Sequence, residues 1–213
     1  MNRVLLAFAL AVAALLPLND SHAHPQRSTL NVNGSVISSY VGIPRKLVDS
    51  SQNGFPYSYG PSVIFANGQY HAYFCSAGSG AFDWDHVRHS VSSDLQTWTA
   101  PTDLVVSSYY ERAACDPSVV RFNAGDGDYY YMVYSGNVYN VQTVNFVARS
   151  ISPDGPFLKY TYRGTWEYDP ADPQPIIWPQ QNSPEGSGIY GAGQPSVVVH
   201  NGVCVPMVLR PVN

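Results

Sequence analysis

"GPSVIF" (60–65), "DPSVVRF" (116–122) and "GQPSVVV" (193–199) write one tripeptide, Pro-Ser-Val, three times in one chain. Each copy runs on into more β-branched or aromatic residues. Each is then followed by a Gly-containing turn and a second strand-like run: "FANGQYHAYFC", "FNAGDGDYYYMVYS" and "VHNGVCVPMVL". Asn67-Gly68 and Asn201-Gly202 are hairpin dipeptides, and Asp126-Gly127 does the same work in the middle copy. A further pair, "VRHSVSSD" (87–94) and "VARSISPD" (147–154), extends the repeat beyond its first two strands.

The unit therefore reads as four short antiparallel strands. In the first copy they are expected near 61–66, 69–75, 86–92 and 97–106. In the second they fall near 117–123, 129–135, 143–150 and 157–163, and the third shows two, near 195–200 and 203–209. A four-stranded unit recurring after 56 residues (116 − 60) predicts an all-β fold, a β-propeller with about two and a half blades. The blades span about 57–107, 110–165 and 190–213. The ring is open on this reading, so the chain is expected to be a fragment of a longer protein or to be completed by a partner.

The residues ahead of the repeat have a different character. Arg3 followed by an apolar run from Val4 to Leu16 and by Ser21-His22-Ala23 reads as a secretory signal over residues 1–23. The run is too short to span a bilayer, so no membrane segment is expected and the mature protein is expected to be secreted or periplasmic. Residues 24–56 form an N-terminal extension, with a glycosylation sequon at Asn33-Gly34-Ser35. The three cysteines, Cys75, Cys115 and Cys204, leave at least one unpaired. Cys75 and Cys115 are the pair expected to lie near one face. No Cys-x-x-Cys occurs, no metal ligand set is expected, and no cofactor is expected.

Net charge is −4, with 11 Lys and Arg against 15 Asp and Glu, and no basic cluster is present, which argues against nucleic acid as a partner. The 16 Tyr in a helix-poor composition suit wet aromatic surfaces of the kind that meet sugars, though Tyr is also a good strand residue.

An up-and-down blade places the start of strand 1 and the loop between strands 2 and 3 on one face. That face is expected to carry Tyr57, Tyr59, the loop Phe82-Asp83-Trp84-Asp85, Tyr109 to Arg112, Asp116 and the segment from Glu185 to Tyr190.

"CDPSVVRF…GDYYYMVYSG", the "SSDLQTW" turn and the "SPDGPF" turn resemble the five-bladed β-propeller glycoside hydrolases, in particular the arabinanase and β-xylosidase group of family 43 and more distantly the fructosidases. The resemblance covers roughly residues 57–210. It implies a secreted enzyme that cleaves furanosides or xylosides of oligo- or polysaccharides with carboxylates at the ring-facing starts of successive blades. Breaking a glycosidic bond needs one protonated carboxyl and one ionised carboxylate.

Carried over by position, the middle carboxylate is Asp116, while Gly60 and Gln194 stand at the equivalent places. Asp116 is the leading catalytic candidate; its alternative is an Asp capping a turn ahead of proline. Glu185 is a candidate displaced acid, or a solvated loop glutamate. Asp83 and Asp85 flank Trp84 and are candidates for the absent base, with Trp84 as a stacking platform. Tyr59, Trp84, Tyr110, Arg112 and Gln194 are candidate substrate-binding residues, and Glu111 and Arg112 form either an ion pair or part of the sugar site. Asp94 and Asp154 read as turn residues. His86 and His89 are at odd spacing on a strand, so they are expected on opposite sides of the sheet. The alternative to an enzyme is a sugar-binding propeller that does no catalysis, or an inactive truncated product.

Overall fold

The structure is a computed structural model, and it describes residues 26–32, 35–41, 57–77, 85–108, 110–138, 143–179 and 192–209. The chain divides into two compact units, residues 1–45 and 46–213. In the first, β1 (Gln26–Val32) pairs antiparallel with β2 (Ser35–Val41), a hairpin within the stretch read from sequence only as an extension.

The second unit holds eleven strands and, among the described residues, no helix. Blade 1 is the sheet β3 (Ser58–Ala66), β4 (Gln69–Ala77), β5 (Asp85–Ser92) and β6 (Thr102–Val105), in that order. Blade 2 runs β7 (Cys115–Asn123), β8 (Asp128–Asn137), β9 (Thr143–Ser150), β10 (Leu158–Tyr160) and β11 (Trp166–Glu167). The first half of blade 3 is β12 (Gly193–His200) with β13 (Val203–Leu209). All pairings are antiparallel between chain neighbours, and β7 lies between β3 and β12. The three Pro-Ser-Val runs are thus the adjacent inner strands of successive blades.

Three expectations need correction. The fourth strand of blade 1 is short because residues 93–99 are held as a turn. Asp94 Oδ1 accepts from the amides of Gln96 and Thr97 at 2.7 and 2.8 Å, and Thr99 N donates to Val91 O at 2.9 Å. Blade 2 has five strands rather than four, because Tyr160 pairs with Trp166 after a turn closed by Gly164 and Thr165. The inner strands also begin earlier than expected, at Ser58 and Cys115, since a bulge carries the strand through the proline.

That bulge explains the repeat. Gly60, Asp116 and Gln194, the residues before each proline, have φ of 60°, 47° and 49°, and the register of each inner strand shifts there. A bulge of this kind bends a strand and re-aims the side chain at its apex. The serine that follows stitches the blades together: Ser62 Oγ accepts from Val119 N at 3.1 Å, and Ser118 Oγ accepts from Val197 N at 2.9 Å. Proline supplies no amide at the bulge, serine reaches the next blade, and valine fills the strand. Each position in Pro-Ser-Val has its own task.

Between blades 1 and 2 the core is continuous. Tyr73, Val87 and Val105 pack with Val119, Tyr130, Met132, Tyr134, Phe146 and Phe157. Tyr73 meets Phe157 edge-on at 6.1 Å and donates to Pro153 O at 2.7 Å, so burying its ring leaves no orphan hydroxyl. The Cys75–Cys115 disulfide ties β4 to β7, with Cα atoms 4.8 Å apart, and leaves Cys204 as the free thiol.

Candidate functional site

The three bulges converge on a cavity of about 350 Å³. Its walls are Tyr59, Gly60, Pro61 and Ser62 from blade 1, Asp116, Pro117 and Ser118 from blade 2, and Gln194, Pro195 and Ser196 from blade 3. That is within the size range of small-molecule sites. Asp116 is nearly buried, whereas Gln194 is exposed. Both are held in a left-handed backbone conformation that Asp accepts more readily than Gln. Gln194 is fixed through its backbone, its main-chain N–H donating to Ser135 Oγ at 3.1 Å.

A second hollow of about 100 Å³ shares Tyr59 and Asp116 with the first and is also lined by Asp85, Cys115, Ser135 and Asn137, among others. It brings a second carboxylate beside the first. Asp85, the first residue of β5, accepts from Tyr57 through Oδ1 and from Tyr59 through Oδ2, the latter at 3.3 Å. Burial, with the bond to Asp85 second, pushes the Tyr57 phenol up to about 12, so it remains a donor. Asp85 was weighed from sequence together with Asp83; the structure places Asp85 in the hollow, and Asp83 lies outside the described residues.

Of the other candidates, Asp116, Tyr59 and Gln194 are brought together, while Trp84 and Glu185 lie outside the described residues. Tyr110 does not line either hollow: it sits edge-on to Tyr162 with the two hydroxyls 3.2 Å apart, and burial pushes its pKa up to about 12. Arg112 lies in the turn that precedes β7, its amide donating to Ser108 O at 2.9 Å, with φ of 53°. It also lines neither hollow.

Glu111 is fully buried and belongs to the framework. Its partner is Lys159, forty-eight residues on, and not Arg112; Tyr134 also donates to it, and Ser108 Oγ donates at 3.1 Å. Burial drives the Tyr134 phenol well above its ordinary value, with the Glu111 charge adding to it. His86 and His89 face opposite sides of blade 1, as their register with Ser76 and Tyr73 requires.

No family model matches the sequence, and no curated protein matches it. The fold is similar to that of solved family 43 glycoside hydrolases. One is an enzyme from Xanthomonas citri solved with xylotriose: 19% identity, TM-score 0.45, with 70% of this chain and 38% of that chain covered. Another is an arabinoxylan arabinofuranohydrolase from Bacillus subtilis solved with cellotetraose, at 16% identity and TM-score 0.45, covering 71% and 32%. A third, from a compost microbial metagenome, is a β-xylosidase/α-arabinofuranosidase at 19% identity and TM-score 0.45, covering 75% and 43%. The chain thus spans less than half the length of each of these structures.

Proposed function

We propose that this is a secreted carbohydrate-active propeller of the glycoside hydrolase type, acting on furanosides or xylosides. The observation that carries the reading is the cavity at the three Pro-Ser-Val bulges, whose lining includes a carboxylate, a tyrosine and a glutamine. Sugar hydroxyls need both acceptors and donors, and Asp116 with Gln194 offers that combination. Asp85, which accepts from two phenols and lines the smaller hollow together with Asp116, is assigned the activation of water. The matching proton donor is assigned to Glu185, in the segment that leads into β12. Exposed apolar side chains on β3 (Val63, Phe65) and on β12 and β13 (Val199, Val203, Met207) suit coverage by further blades of a five-bladed ring.

A second reading, a propeller that binds glycans without cleaving them, draws on Gln194. An amide cannot exchange a proton with a leaving group as a carboxyl does. Release of reducing sugar from arabinan, xylan and fructan, alongside binding to the matching oligosaccharides, separates the two. Turnover abolished by Asp116→Asn supports hydrolysis, and binding without turnover supports the second reading. If neither binding nor turnover depends on Asp116, the site assignment fails.

A further inference from the structure

The matching turns "VRHSVSSD" and "VARSISPD" end on aspartates with different surroundings. Asp94 folds its carboxylate back onto its own turn, and the amides of Gln96 and Thr97 hold its pKa down. Asp154, in the turn between β9 and β10 of blade 2, reaches across to blade 1. There His71 of β4 and His89 of β5 lie on the face that packs against blade 2, because His71 pairs with Val91 and His89 with Tyr73. Both rings are buried, whereas Asp154 is 58% exposed.

Three ligand atoms meet at this point. His71 Nδ1 is 3.1 Å from His89 Nε2 and 3.4 Å from Asp154 Oδ1, and His89 Nε2 is 3.9 Å from the same oxygen. The two imidazole nitrogens are within hydrogen-bond distance of each other, and an ion about 2.1 Å from all three atoms would sit about 0.5 Å out of their plane, which matches zinc–nitrogen and zinc–oxygen bond lengths and leaves a fourth position open. Two imidazoles and one carboxylate, with solvent reaching the carboxylate side, are also a common donor set for zinc, with a water completing four ligands.

We infer that His71, His89 and Asp154 form a binding site for a divalent transition-metal ion of the zinc class, which clamps blade 1 to blade 2. His71 lies opposite Ile64, toward the Asn67-Gly68 hairpin, while Tyr59 of the cavity lies opposite Cys75. Four residues of strand separate the two levels, roughly 13 Å. The site is therefore independent of the sugar reading. Sequence reasoning passed over it because His71 becomes a partner of His89 only through the register of β4 against β5, and Asp154 only through packing between blades.

The test is metal binding to the tag-free mature protein after treatment with chelator. Zinc content is measured by mass spectrometry, affinity by competition with a chromophoric chelator, and thermal unfolding with and without zinc. Expected are one zinc per chain and a rise of several degrees in unfolding temperature. Affinity should fall at least tenfold in Asp154→Ala and in His89→Gln, and stay unchanged in the surface control His200→Ala. Asp154→Ala replaces an exposed turn side chain, so without metal it should unfold within about two degrees of the wild type. Cobalt substitution should give the visible absorption of a four-coordinate site in the wild type and lose it in Asp154→Ala. Sub-stoichiometric zinc in the wild type, affinity unaffected by both ligand variants, or loss of binding in His200→Ala would each overturn the assignment.

Discussion

A Cβ on Gly60 would lie 2.9 Å from Asp116 Oδ1. The glycine before the first Pro-Ser is therefore what admits the carboxylate before the second. Gly60 also has φ of 60°, so a side chain there is strained even if the carboxylate retreats. Gly60→Ala should cost about 1–3 kcal/mol in denaturant unfolding. It should also weaken glycan binding as much as Asp116→Asn does, since both remove the carboxylate from its place. Equal binding by Gly60→Ala and wild type would refute this coupling.

The Cys75–Cys115 bridge closes a separation of 40 residues and ties two blades at the rim of the smaller hollow. Chain entropy alone assigns about 4 kcal/mol to a loop of this length, and measured values generally fall at or below that. The double variant Cys75→Ala/Cys115→Ala should lose about 2–4 kcal/mol in equilibrium unfolding under non-reducing conditions. Adding dithiothreitol should shift the wild type toward that value and leave the variant where it is.

Lys159 is buried against Glu111 and also donates to Val106 O at 2.8 Å. Removing one partner of a buried pair leaves a charge with no compensation. Lys159→Met should therefore destabilise by about 3–5 kcal/mol. The double variant Glu111→Gln/Lys159→Met, which removes both charges, should recover a substantial part of the loss. Additive losses in this cycle would show that the pair has no such coupling.

How far these features were legible before the fold was known differs by kind. The inner strands were readable because Pro-Ser-Val recurs with hairpin dipeptides at matched offsets, and the residues before the three prolines line one cavity. The bulge was not readable, because a residue before proline ordinarily reads as extended. Nor was the role of Glu111, whose partner Lys159 sits on another strand of the blade and leaves no local mark in sequence. Asp94 and Asp154 show the same limit from the other side. They match as sequence, yet among the described residues only Asp154 reaches a neighbouring blade.

His86 is buried, and burial lowers its pKa although Asp103 lies 3.7 Å away and opposes the shift. A histidine whose folded-state pKa lies below its unfolded value takes up its proton more readily when unfolded. Its contribution is complete above the unfolded value of about 6.5 and is lost progressively as pH falls from there through its lower folded-state value. The unfolding temperature should therefore drop between pH 7.5 and pH 5, and His86→Gln should show a shallower drop. An unchanged slope in His86→Gln would remove His86 from the account.

Gln194 and Asp116 share a left-handed backbone, with φ of 49° and 47°. Asp tolerates that region through its short side chain, but Gln has no such advantage, and glycine would relieve the strain at either place. Gln194→Gly should therefore gain about 0.5–1 kcal/mol in stability. If the amide is held there to meet a sugar, the same variant should bind oligosaccharide more weakly. Gln194→Glu should restore an acceptor but not the lost donors, and so recover binding only in part. Stability and affinity moving in opposite directions on one substitution is the expected result. A more stable Gln194→Gly with unaltered binding would mean that the third repeat borders the cavity without contributing to it.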